Sequence, residues 1–104
     1  MEEMFGLYLI LTDPVTGYFD CARAAVEEGV AYLQLRMKNV PASRIIETGR
    51  RLRRITAETA TRLIVNDDVE IARKIDADGV HLGQDDLPLD EARKIWKKPG
   101  KIFG

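Results

Sequence analysis

Gln34, Arg36 and Lys38 alternate with Leu33, Leu35 and Met37. Side chains two apart in a strand share a face, so one face here is apolar and the other carries an amide, a guanidinium and an ammonium. A parallel sheet is normally covered on both sides. Inner-face cations would be costly there unless they met an anion near the open end, which is how a phosphate site is built. An edge strand with a solvated outer face would carry the same charges. Two acidic clusters follow later apolar runs, Asn66-Asp67-Asp68 and Gly83-Gln84-Asp85-Asp86. Carboxylates from two strand ends suit Mg²⁺, which takes one or two of them and completes its shell with water and phosphate oxygens. Taken singly, Asp68 and Asp85 read equally well as helix caps or loop residues. His81, the only histidine, lies between Gly79 and Gly83, which leave room for close approach of backbone or ligand.

These residues need a scaffold that brings strand ends together. Leu7 to Leu11 reads as a buried strand closed by Thr12-Asp13-Pro14, and Phe19, Ala22, Ala25 and Val26 follow at helical spacing up to a left-handed cap at Gly29. Val30 to Met37 is the second strand. Pro41 opens a helix with Ala42, Ile45, Ile46, Gly49, Leu52, Ile55 and Thr56 on one face, where Gly49 predicts close packing. Leu63 to Val65 and Gly79 to Leu82 are the next strands. Helices on Val69, Ala72 and Ile75, and on Leu89, Ala92, Ile95 and Trp96, follow them. Ile102 and Phe103 begin a fifth strand. Four βα units imply parallel strands with right-handed crossovers. Length favours a five-stranded open sheet over a closed (β/α)8 barrel of about 250 residues, whereas the polar strand positions resemble the lining of a barrel mouth.

Composition narrows the function. With 104 residues the chain suits a single domain spanning 1–104, and 16 Lys plus Arg against 17 Asp plus Glu provide no global field for polyanions. Nucleic acid is disfavoured as a partner. The basic run Arg50-Arg51-Leu52-Arg53-Arg54 has no interleaved aromatic residues and reads as the solvated face of a helix. One cysteine, Cys21, excludes an internal disulfide and a CxxC motif, and reads as a packed helix thiol. The acidic start carries no secretory signal, and no apolar run approaches the ~20 residues of a membrane span, so the expected location is cytoplasmic.

Together the motifs resemble thiamin phosphate synthase: Leu7-Tyr8-Leu9-Ile10-Leu11-Thr12-Asp13, Gln34-Leu35-Arg36-Met37-Lys38, Leu63-Ile64-Val65-Asn66-Asp67, and Ala77 through Asp86, in order along almost the whole chain. The resemblance implies a TIM (β/α)8 barrel of the α/β class, here four βα units plus the start of a fifth strand. It implies condensation of hydroxymethylpyrimidine diphosphate with thiazole phosphate, releasing pyrophosphate. It further implies that Gln34, Arg36 and Lys38 hold the diphosphate, that Asn66 and His81 contact the pyrimidine substrate, and that Asp67 and Asp86 bind Mg²⁺. Arg36, Lys38 and His81 are the catalytic candidates. The family's later residues, including those around the thiazole phosphate, lie beyond Gly104, so the 104-residue chain is expected to be incomplete and inactive alone. A non-catalytic half-barrel and a thiazole tautomerase-like relative are the alternatives. Two open sheet edges and exposed inner apolar positions further predict a homo-oligomer, with a dimer favoured.

Overall fold

The computed structural model describes residues 8–12, 17–83 and 88–104. Strands β1 (Tyr8–Leu11), β2 (Tyr32–Leu35), β3 (Arg62–Asn66), β4 (Gly79–His81) and β5 (Ile102–Phe103) alternate with helices α1 (Tyr18–Glu27), α2 (Ala42–Thr56), α3 (Val69–Ile75) and α4 (Leu89–Ile95). All four strand pairs are parallel and sequential, in the order β1-β2-β3-β4-β5. This progressive order, with no reversal point, is that of half a (β/α)8 barrel and departs from a doubly wound open sheet.

Alternation divides the strands between two cores. Leu33, Leu35, Leu63, Val65 and Val80 lie under the helices in one buried cluster with Ala22, Leu52, Ala72 and Trp96. Gly49 brings α2 close to α3, because a Cβ there would lie 2.8 Å from Ile75 Cδ1. Gly29, at φ 73°, turns the chain out of α1 as its sequence position predicts. Asp68 caps α3, its Oδ1 accepting from the Ile71 N–H at 3.1 Å.

The other sheet face departs from the expected exposure of its apolar positions. Its apolar residues Tyr32, Ile64 and Ile102 are buried in a second cluster, and Ile10 of edge strand β1 is left exposed on this face, while its neighbour Leu9 is exposed on the helix side. Gly79 is the cause of the burial. A Cβ there would meet the Ile102 carbonyl at 2.4 Å and Ile64 Cδ1 at 3.0 Å, so the missing side chain admits β5 rather than a ligand. On α4 only part of the predicted apolar face is covered: Ala92 and Trp96 are buried, while Leu89 and Ile95 are exposed. No helix among the described residues is long and apolar enough to cross a membrane.

Candidate functional site

The strand registers set the site in layers. Ile10, Gln34, Ile64, Gly79 and Ile102 are lateral neighbours across the sheet. One layer nearer the C-terminal ends, Asn66 and His81 stand side by side, and Arg36 falls two residues past Gln34 on the same alternation. The predicted inner face therefore forms, with Gln34, Asn66 and His81 brought together. Gln34 is 3% exposed, and its Oε1 accepts from Asn66 Nδ2 at 2.9 Å. This bond fixes which end of the Asn66 amide faces β2, leaving its carbonyl oxygen on the other side. His81 is half-buried, and its Nδ1 is shielded from solvent without a hydrogen-bond partner among the described residues. Such a nitrogen is the kind of group that a bound molecule would satisfy.

Above this layer the strands end in left-handed turns, at Asn39 (φ 60°) after β2 and Asp67 (φ 70°) after β3. Asp67 is held there by its own N–H, which donates to the His81 carbonyl at 2.8 Å. The turn directs its carboxylate towards the neighbouring strand end, where Lys38 Nζ donates to Asp67 Oδ2. Lys38 and Asp67 retain 42% and 33% side-chain exposure, so both remain open to the mouth. Arg36 and Lys38 also line a cleft of about 340 Å³ with Thr12, Tyr18 and Arg44. Arg44 was not singled out as a site residue from sequence. The signal available for it is its place in the first turn of a helix that begins just after Lys38.

Among the described residues no three His, Cys, Asp or Glu side chains converge as a metal site. Gln84, Asp85 and Asp86, and with them the second predicted metal ligand, lie outside the described residues. A larger cleft of about 680 Å³ lies along α2 and α3, lined by Arg50, Arg51, Arg54 and Lys74 with Ser43, Ile46 and Glu47. The guanidinium of Arg51 stacks on Phe19 at 3.7 Å. All of these lining residues belong to α2 and α3.

A parallel half-barrel with amide, imidazole, cationic and carboxylate groups gathered at the C-terminal strand ends belongs to the class of (β/α) barrels that bind ligands at that mouth. A family profile described as thiamine monophosphate synthase matches residues 7–104. The chain belongs to that family. It is 40% identical over 103 residues to a thiamine-phosphate synthase of Moorella thermoacetica, covering 96% of this chain and 49% of that relative. The corresponding synthase of Archaeoglobus fulgidus is 39% identical over 104 residues, covering 98% and 48%. Among solved structures, thiamine phosphate pyrophosphorylase from Pyrococcus furiosus superposes with a TM-score of 0.84 at 38% identity, over 95% of this chain and 48% of its own. The chain thus spans about half the length of these relatives.

Proposed function

We propose that this chain supplies the diphosphate-binding half of a thiamin phosphate synthase active site, which joins hydroxymethylpyrimidine diphosphate to thiazole phosphate and releases pyrophosphate. The observation that carries this reading is the gathering of Gln34, Arg36, Asn66 and His81 on one face, with Lys38 and Asp67 paired just beyond them, at the C-terminal end of a parallel sheet. In this reaction the bond from the pyrimidine methylene carbon to a diphosphate oxygen breaks. Its electron pair leaves with pyrophosphate, and the thiazole nitrogen attacks the resulting carbocation. Arg36 and Lys38 hold the leaving group and oppose its growing negative charge, an electrostatic task that requires no protein nucleophile. Asn66 positions the same substrate through the amide that Gln34 orients, and His81 stands beside the pyrimidine ring with Nδ1 available to it.

The donor set fits Mg²⁺. Asp67 is a partly exposed hard-oxygen ligand at a strand end, and Mg²⁺ requires only one or two carboxylates when phosphate and water complete its shell. Asp67 and Asp86 would hold the ion, which when bound neutralises charge on the diphosphate. Residues 1–104 act as a single unit in this reading, located in the cytoplasm and paired with a second copy.

Calorimetry with pyrophosphate and Mg²⁺ tests the site. Binding is expected to weaken about tenfold or more in Arg36→Ala, from loss of a charge-assisted contact of roughly 1.5–3 kcal/mol. It should lose its metal dependence in the Asp67→Ala, Asp86→Ala double variant. Unchanged metal dependence in that double variant would remove the metal assignment, and unchanged affinity in Arg36→Ala would remove the arginine from the site.

A further inference from the structure

We infer that the Lys38–Asp67 ion pair couples cation and diphosphate binding at this mouth; the inference rests on the diphosphate reading above and adds a regulation to it. The two residues come from adjacent strand ends. Asp67 is fixed by a backbone anchor in its left-handed turn, with its N–H on the His81 carbonyl, so the flexible lysine comes to the carboxylate. In that arrangement the ammonium already has a counter-charge. Its attraction for an incoming anion is reduced, even though an ammonium has donors to spare. The carboxylate is likewise offset against cations. A divalent ion at Asp67 displaces Lys38 from it and restores the lysine's charge to the diphosphate. Reciprocally, an anion that draws Lys38 away exposes Asp67 to the metal. Each ligand therefore raises affinity for the other beyond their direct attraction, and linkage requires the effect to be mutual.

A double-mutant cycle separates this coupling from the general field of the site. Pyrophosphate binding is measured by calorimetry in EDTA on the 104-residue chain, Lys38→Met, Asp67→Asn and the double variant; asparagine keeps the left-handed turn accessible. Lys38→Met is expected to weaken binding more in the Asp67→Asn background than in the unmodified chain. The excess should be about 1.4- to 5-fold, the range of a partly exposed ion pair. In a second arm Mg²⁺ is titrated without anion. Lys38→Met should then bind it more tightly by a similar factor, and by more than Arg36→Met, which removes the same charge from the same mouth. Additive effects in the cycle, or equal shifts in Lys38→Met and Arg36→Met, would overturn the coupling while leaving the diphosphate site standing. Absence of pyrophosphate binding in all four proteins would overturn both.

Discussion

Replacing Gly79 with alanine should strike at the join between the site and the last strand. The added Cβ would lie 2.4 Å from the Ile102 carbonyl oxygen and 2.7 Å from Ile102 Cβ, separations that real atoms do not tolerate, and the first neighbour is backbone. Two responses compete. The sheet can stay paired and absorb the overpacking, at about 1–3 kcal/mol. Alternatively β5 can detach, giving up the burial of Ile102, about 1.5–3 kcal/mol for a side chain of that size. Detachment also breaks the bonds from Ile102 N to Asp78 O at 2.9 Å and from Gly104 N to Val80 O at 3.0 Å. Strain within the paired sheet is the cheaper response. Because the first neighbour is backbone, the strain falls in the upper part of the range, about 2–3 kcal/mol. Alanine recovers about 0.5–1 kcal/mol of backbone entropy relative to glycine in a strand, so the net loss should be about 1–2.5 kcal/mol. For a domain of this size that lowers Tm by about 4–8 °C for each kcal/mol. Thermal unfolding followed by circular dichroism reads it directly. A Tm unchanged within about 2 °C would refute the argument that Gly79 is required by the approach of β5.

Other outcomes follow from the same geometry. Asp76 is held below the usual carboxylate range, first by the hydrogen bond from Lys98 and then by Lys101, against the opposing effect of burial. Asp76 pairs with Lys98 at 2.9 Å and at 3.0 Å with Lys101, which immediately precedes β5. Because its folded pKa is depressed, the hold this gives on β5 is present above the ordinary carboxylate value of about 3.9 and fades as pH falls through the lower folded value. Protection of the Ile102 amide, taken against its intrinsic exchange rate at each pH, should fall over that acid range in the unmodified chain, and an Asp76→Asn variant should lose that acid dependence. Light scattering at micromolar concentration is expected to give a dimer, favoured by pyrophosphate, with the exposed Leu9 and Ile10 of β1 at the contact; a folded monomer with and without the anion would refute it. Assayed alone, the 104-residue chain, which spans about half the length of the relatives it matches, should turn over little or no substrate, since incomplete positioning of two reactants forfeits many orders of magnitude in rate. Turnover near that of a full-length relative would refute this.

The βα alternation was legible because apolar runs and helical spacing repeat along the chain, and the parallel order followed from it. Gly29 and Gly49 could be given roles because each has one dominant physical use at its position, a left-handed cap and a close helix contact. The inner face was legible where a two-residue period holds: it put Gln34, Arg36 and Lys38 on one face, while Asn66 was tied to the same site by the family resemblance. It ceased to inform where the strands end. Lys38 and Asp67 meet through left-handed turns at Asn39 and Asp67, and no spacing rule predicts the aim of such turns. Arg44 reaches the same cleft from a helix, outside any strand alternation. The covering of Ile64 by Ile102 depends on a two-residue strand whose register is set by the shape of Gly79, a tertiary fact. The order of the sheet strands, by contrast, resolved in favour of the barrel lining suggested by polar strand positions and against the preference drawn from length.

On the proposed reading the mouth formed by Arg36, Asn66 and His81, rather than the basic cleft along α2 and α3, receives the diphosphate. Nuclear magnetic resonance of the isotopically labelled chain, titrated with pyrophosphate in the presence of Mg²⁺, tests it residue by residue. Signals of Arg36, Asn66 and His81 should move together along one binding curve, with those of Arg50, Arg54 and Lys74 unmoved. Movement confined to Arg50, Arg54 and Lys74 would instead put the anion on the helices and rule out the strand-end site.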